Sequence, residues 1–398
     1  MFCQEHGRTS GTFCVENVKW GIGIEFTILV TQDCNLACSY CYISKKPVRM
    51  SIGTAEKVVA FFFANASKKE DNRIGFFGGE PLLEFELIKK IVDMIQKHPR
   101  FHEIKVRFKI TSNGTIFTEE IADFFLEHQF GYCISCDGDR QTHDAFRRFK
   151  DGTGSFETVS ATIKKAVELL PAPQVNTVLS LDTLRFLPDT IRYLISLGLK
   201  LIYVNTDYTA KWSRKDVAVL ESALDEIAEI YIDSYRRNNP VFISVIDEKI
   251  SVILRGGYSP GEKCYMGMKE IAFTPEGNIF PCERIVYDGA SDSSLCIGNV
   301  DTGIDLSRLS CHMMDGGESN SECLSCSVRN YCIHWCGCSN FHATGYYNRV
   351  GPFLCAGQKA ALSVAFRVLE TLEDEMPAVF AFHKMGMPTA NAQKLLID

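Results

Sequence analysis

The chain of 398 residues has no long apolar run. Its longest, IGIEFTILV at 22–30, is broken by Glu25 and far too short to span a bilayer. The opening MFCQEHGRTSG lacks the basic stretch and apolar core of a secretory signal. Positive charge is not in excess: 42 Lys and Arg against 49 Asp and Glu leave a net charge of -7, and no block of like charges stands out. That balance removes the electrostatic footprint of a nucleic-acid binder. Internal repeats and low-complexity segments are missing too. These absences give the expectation of a soluble, cytoplasmic protein with no nucleic-acid or membrane partner. At 46% hydrophobic and 23% charged, the chain can bury one large domain and a smaller one.

Cysteine, by contrast, is plentiful at 17 residues. Disulfides rarely persist in the cytosol, and a core of this size needs no covalent staples, so the thiols read as metal ligands. Cys34, Cys38 and Cys41 crowd into DCNLACSYCY at 33–42, and most of the others fall between Cys264 and Cys355. Cys3, Cys14, Cys133, Cys136, Cys296, Cys311 and Cys338 fit no pattern and read as small buried hydrophobes. What the first group lacks is a fourth thiol. Structural zinc would require one. Three thiolates suit a 4Fe-4S cluster, in which one iron then remains free to bind a small molecule.

From Ile24 onward, short apolar strands alternate with segments of helical spacing, as in βα units feeding a parallel sheet. The strands are IEFTILVT, RIGFFGG, IKVRFKITS, YCISCDG, VNTVLSL and LKLIYVNTD; the helices between them include TAEKVVAFFFANA, FELIKKIVDMIQK and KDVAVLESALDEIAEIYIDSYRR. Six such units predict an α/β fold, a partial (β/α)6 TIM-like barrel over 24–238, with a doubly wound sheet as the alternative. An extension at 1–23 precedes it and a linker at 239–262 follows. A cysteine-rich domain at 263–360 and a C-terminal helix and tail at 361–398 complete the division. The thiol triplet falls at the C-terminal end of the first strand, where parallel α/β folds place their sites.

The triplet and its aromatic Tyr40 resemble the CxxxCxφC motif of radical S-adenosylmethionine enzymes. FFGGEP at the end of the second strand resembles the GGEP motif of that family. Asn113 in TSNG and Ser135 in ISCDG end the third and fourth strands. The resemblance implies that the open iron is chelated by the methionine amine and carboxylate of S-adenosylmethionine. It implies cofactor contacts from Tyr40, Gly78, Gly79, Glu80, Asn113, Ser135 and Arg147, with Glu80 taking the amine and Arg147 the carboxylate.

The later cysteines resemble the SPASM extension, which holds two auxiliary 4Fe-4S clusters and brings the total to three. Following that pattern, Cys323, Cys326, Cys332 and Cys355 ligate the distal cluster, and Cys264, Cys282 and Cys336 the nearer one. Relatives with full coordination carry a further cysteine shortly before the position of Cys264, where this sequence has RGGYSPGEK. The expectation is an open iron there, available to a substrate thiol, unless Cys338, Cys311 or Cys296 closes it. A colourless protein with zinc on these thiols is the non-enzymatic rival.

Such enzymes cleave the cofactor to a 5'-deoxyadenosyl radical, and SPASM members mostly modify peptides or proteins. The resemblance thus implies a maturase that crosslinks a ribosomally made precursor peptide, through a cysteine sulfur-to-carbon thioether, using a flavodoxin- or ferredoxin-like electron donor. The alternative is an anaerobic sulfatase maturase making formylglycine. Those enzymes carry Asp directly after the GxxxxC cysteine; here it is Glu283, a candidate base. Twenty-three residues before the first strand are too few for a leader-binding fold, so leader recognition would fall to a separate protein or to the surface after Glu370.

Overall fold

A computed structural model of the protein describes residues 24–259, 262–264, 266–267, 269–287, 289, 293–309 and 320–385. The extension at 1–23, the end of the tail, and Cys3, Cys14 and Cys311 lie outside these residues. Among the described residues no helix is long and apolar enough to cross a membrane.

All six expected strands form: β1 Glu25–Thr31, β2 Asp71–Gly78, β3 Lys105–Ser112, β4 Gly131–Ser135, β5 Gln174–Leu179 and β6 Leu201–Thr206. They pair in parallel and in chain order. A doubly wound sheet would reverse its strand order at a switch point. None occurs here, so the winding is barrel-like. The helices α1 Ile52–Asn65, α2 Phe85–Lys97, α3 Glu119–Glu127, α4 Arg140–Phe146, α5 Phe156–Leu169, α6 Leu187–Ser196 and α7 Arg214–Arg236 lie between and after the strands. Side-chain caps start several: Ser51 accepts from the Thr54 N–H, Thr118 from Ile121 and Asp139 from Thr142.

The strands of a half-lined barrel must alternate, and β4 and β5 do so residue by residue. Ile134, Val175 and Ile202 are buried against the helices, while Cys133, Asn176 and Asn205 line the lumen. Gly75 has a specific part in this lumen. It sits on β2 between Thr27 of β1 and Lys109 of β3, and the missing side chain lets Lys109 reach across β2 to pair with Glu25.

Two features depart from the expected domain plan. The stretch read as a linker at 239–262 holds a seventh strand, β7 Phe242–Ile243, parallel to β6, and a helix, α8 Ser244–Leu254. The cysteine-rich region is not a separate sheet either. Its first strand, β8 Glu270–Phe273, pairs in parallel with β1 on the edge opposite β2. From there the antiparallel strands β9 Asn278–Phe280, β10 Gly298–Asn299 and β11 Gly303–Ile304 extend one sheet to 11 strands. β7 and β8 end the parallel run without meeting, so the barrel stays open.

Past α9 Ser321–Leu324 and α10 Gly337–Thr344, the long helix α11 Pro352–Glu375 returns to the barrel, and α12 Pro377–Lys384 follows it. Phe353 stacks on Trp212 with ring centroids 3.9 Å apart, and the Arg236 guanidinium takes Glu375 with contacts of 2.7 and 2.9 Å. Under α12, buried Asp247 accepts from the Ile243 N–H at 2.7 Å and the Tyr231 hydroxyl at 2.8 Å. Next to it, Tyr235 meets His383 at 3.1 Å. Asp247→Ala strands two buried donors and is expected to cost about 3 kcal/mol of stability, read as a lowered denaturant midpoint at unchanged slope.

Candidate active site

The thiol loop begins where β1 stops. Asp33 starts it by accepting the Cys34 N–H at 2.8 Å, and the loop is then held from two sides. From the α4 side, the Arg148 and Phe146 carbonyls accept the Ala37 and Ser39 N–H groups at 2.7 and 3.1 Å. From the β2 side, Gly79 and Glu80 donate to the Thr31 and Asp33 carbonyls at 2.9 and 2.8 Å. Lys45 reaches back to the Leu36 carbonyl at 2.8 Å, closing the loop with a cation near Cys34 and Cys38.

The second contact explains the glycine pair. Gly78 has φ of 131°, and a Cβ on it would stand 2.1 Å from the Thr31 oxygen. On Gly79 a Cβ would stand 2.0 Å from the Asp33 oxygen. Sequence reasoning gave these glycines to a ligand; the close approach they permit is first of all to the thiol loop itself. Glu80 differs in the same way. Its carboxylate is fully buried and accepts from Leu82 N–H at 3.0 Å, Ser112 Oγ–H at 2.9 Å and Asn113 N–H at 2.6 Å. It bolts the end of β3 to the end of β2 beneath the cavity, whose wall carries Gly78, Gly79, Ser112 and Asn113. Burial pushes its pKa up to about 7 against these three donors.

Asn113 turns toward the loop. Its amide donates to Asn35 Oδ1 at 2.8 Å and to Cys34 Sγ at 3.6 Å, and the Leu36 N–H approaches the same sulfur at 3.4 Å. Arg147 is buried and forks onto Asp137, with Nε–Oδ2 of 2.8 Å and Nη2–Oδ1 of 3.4 Å. The Tyr40 hydroxyl donates to the same carboxylate, its ring lies 5.3 Å from the guanidinium, and the Val178 N–H donates to Oδ1 at 2.9 Å. Asp137 was missed in the sequence although it stands in the quoted ISCDG, because nothing local marks it as the partner of a residue ten positions on.

One cavity gathers Cys34, Cys38, Tyr40, Cys41, Gly78, Gly79, Asn113, Ser135 and Arg147 from the barrel rim, together with Glu283 and Arg284 from the cysteine-rich region. Tyr42, Lys45, Tyr208 and His342 complete its walls and were not singled out by sequence. Glu283 follows Cys282 off β9, and its N–H donates to Glu270 at 3.0 Å. Burial raises the Glu283 pKa, while Lys109 and Arg284 oppose the rise. Arg284 holds Asn205 Oδ1 at 2.5 Å and receives the His342 imidazole on its carbonyl at 2.8 Å.

Outside the cavity the later thiols form two groups. Cys323 lies near Cys326 and Cys355, and Cys332 near Cys323 and Cys355. Cys264, Cys282 and Cys336 form the other, and Cys338, read from sequence as a small hydrophobe or a closing ligand, lies among them with its sulfur 3.5 Å from that of Cys336. Cys133 faces the lumen, Cys136 is buried, and Cys296 donates to the Gly298 carbonyl at 3.2 Å. Among the described residues no three Cys, His, Asp or Glu side chains converge as ligands of a single ion would.

Gly79→Ala drives a Cβ into the Asp33 carbonyl. It is expected to cost roughly 2–5 kcal/mol locally and to strip iron from the Cys34–Cys41 loop, while far-UV circular dichroism stays unchanged. Iron and sulfide analysis after anaerobic reconstitution reads the outcome.

Residues 28–194, from β1 through most of α6, match the Radical SAM superfamily. An uncharacterized protein of Methanocaldococcus jannaschii is 28% identical over 283 residues, covering 70% of this chain and 89% of its own. A cysteine-type anaerobic sulfatase-maturating enzyme of Clostridium novyi is 24% identical over 276 residues, covering 65% and 72%. Among solved structures, native anSMEcpe with bound AdoMet and Cp18Cys peptide superposes with a TM-score of 0.73 at 19% identity, covering 88% of this chain and 99% of that one. Streptococcus suis SuiB bound to its precursor peptide SuiA gives 0.60 at 13% identity, covering 84% and 76%. At such identities the structural likeness speaks for the fold. The matched segment contains the thiol loop, the glycine pair, Glu80 and the Asp137–Arg147 pair. With that loop and its supports in place, residues 28–194 form a radical SAM domain, and the chain is an enzyme.

Proposed function

We propose that the enzyme is a peptide maturase that oxidatively crosslinks a ribosomally made precursor, joining a cysteine sulfur to a carbon. The observation that carries this reading is the single cavity in which the thiol loop faces Glu283 and Arg284, with a second thiol group directly behind them.

The residues fit the cofactors that the family implies. Cys34, Cys38 and Cys41 border the cavity together, and the Cys34 sulfur takes N–H groups from Leu36 and Asn113, the bonds that tune and fix a cluster thiolate. Cys34, Cys38 and Cys41 would hold the 4Fe-4S cluster that binds S-adenosylmethionine, and the two later groups would hold auxiliary clusters of a SPASM domain. Once bound, these groups supply a radical able to take hydrogen from an unactivated carbon and an acceptor for the electron left behind.

The chain's own part is positioning and proton transfer. Tyr40, Ser135 and Arg147 shape the pocket for the methionine end, and Glu283 receives the proton of a substrate thiol. Forming the S–C bond removes one hydrogen from sulfur and one from carbon, so the peptide loses two hydrogens in all. With its pKa raised by burial, Glu283 is a stronger proton acceptor than an exposed carboxylate. The open edge between β7 and β8 suits an extended substrate, and structures that resemble this chain hold peptides: Cp18Cys on anSMEcpe and SuiA on SuiB. A flavodoxin- or ferredoxin-like donor and a separate leader-binding protein remain part of the proposal.

A second reading, formylglycine formation, is favoured by the coverage of nearly all of the anSMEcpe chain and by the likeness to the Clostridium novyi enzyme. Mass spectrometry of short peptides encoded beside this protein, incubated with reduced enzyme and cofactor, separates the two. Loss of two hydrogens with a masked thiol supports crosslinking; loss of sulfur with a new carbonyl-reactive aldehyde supports formylglycine and overturns the first reading.

Glu283→Gln removes the proton acceptor and leaves the thiol loop intact. Product formation is expected to fall about 10²-fold or more, while 5'-deoxyadenosine is still released, so the ratio of cleaved cofactor to product rises. Chromatographic quantification of both compounds in one reaction checks this.

A further inference from the structure

The sequence gives Cys264, Cys282 and Cys336 to the nearer auxiliary group and leaves it one ligand short. We propose that Cys338 is the missing ligand, so that protein sulfur caps every iron of that cluster and no position is open to substrate. This rests on reading the C-terminal thiols as cluster-binding.

Placement argues for Cys338. Cys336 is the N-cap of α10, and Cys338 lies in the first turn of that helix. The two sulfurs are 3.5 Å apart, and Cys282 lies in the same buried cluster. Cys338 thus stands beside two residues that the motif already assigns as ligands. At 5% exposed, its thiol is committed to this interior rather than to solvent. Cys338 shares its largely apolar surroundings with Cys282, Cys336 and the buried guanidinium of Arg284.

The competing donors fit less well. Cys296 is buried but spends its thiol on the Gly298 carbonyl two residues on. Cys311 lies outside the described residues. Glu270 comes within 3.6 Å of the Cys282 sulfur, but its carboxylate is also engaged by the Glu283 N–H at 3.0 Å. The C-x-C pair at 336–338 therefore takes over the position that relatives fill from before Cys264. In consequence a substrate thiol meets Glu283, rather than an auxiliary iron, as the group that takes its proton.

Protein in which Cys34, Cys38 and Cys41 are all Ala isolates the auxiliary thiols. It is reconstituted anaerobically, then followed by iron and sulfide content and by EPR after mild oxidation, and after reduction in the presence of isotopically labelled cyanide. The parent is expected to keep its iron through oxidation and to show no cyanide coupling. Adding Cys338→Ala is expected to release about one iron per chain on oxidation, with a 3Fe-4S signal, and to admit cyanide on reduction. Adding Cys296→Ser should leave the parent's behaviour unchanged. A parent that itself binds cyanide or yields the 3Fe-4S signal overturns the proposal without any variant having to fold. So does a Cys338→Ala protein indistinguishable from the parent, or a Glu270→Gln protein that alone shows the loss. A parent that takes up no iron fails one level earlier, at the cluster-binding reading itself, and is told apart by its missing sulfide.

Discussion

The site depends most on the buried ion pair of Arg147 and Asp137. Both charges are nearly out of solvent, and a pair so placed survives only when its geometry repays the loss of water and every remaining lone pair finds a donor. Asp137 meets the condition with the guanidinium fork, the Tyr40 hydroxyl and the Val178 N–H. Through those four contacts one carboxylate ties together the thiol loop, the segment after α4 and the strand β5. An apolar cluster of equal volume would have been as stable, yet it could not have fixed the orientation of the guanidinium. With Nε and Nη2 committed to Asp137, Nη1 is the guanidinium nitrogen outside the pair, and a forked anchor of this kind is what lysine cannot supply.

Glu80 does for the other side of the loop what Asp137 does for this one. Both are carboxylates within a residue or two of a strand end, both are buried, and both collect donors from the neighbouring strand. A loop carrying three thiols in eight positions has little apolar surface with which to fix itself. Its rigidity has to come from hydrogen bonds, and the backbone donors and acceptors at parallel strand ends are where such bonds are available. The site therefore lies at that end of the sheet for a mechanical reason as well as an electrostatic one.

The sequence made legible whatever is written in local spacing. Six strands were read from short apolar runs and their alternation, the long helices from their periodicity, and the thiol groups from cysteine intervals. What it hid was pairing between distant segments. β7 is two residues long and carries no pattern, so it vanished into a linker. Nothing in EIAF marks it as the parallel neighbour of β1 nearly 250 residues earlier. Gly78 and Gly79 were recognised while their immediate reason, the Thr31 and Asp33 carbonyls, was not. Cys338 could be named only as one of three thiols able to close the nearer group, because a thiol two residues past a motif looks like any other buried cysteine until the helix start that bears it is folded beside Cys336.

The register between β1 and β8 explains why the cysteine-rich region can take part in chemistry at the rim. Pairing sets Glu25 beside Glu270, and Lys109 crosses Gly75 to meet Glu25. Two adjacent carboxylates with one ammonium leave an excess of negative charge in a lumen of low dielectric, and burial together with Glu283 and Glu25 raises the Glu270 pKa. The hairpin from β8 to β9 then carries Cys282 behind the cavity and, one residue later, Glu283 into its wall opposite the thiol loop. A flexible tether between two independent domains would leave that carboxylate free to wander by several ångströms, and proton transfer does not tolerate such slack. By sharing a sheet, the two regions hold Glu283, the later thiols and the thiol loop in one frame, which supports the base role proposed for Glu283 and the proposed entry of a long substrate at the unclosed edge between β7 and β8.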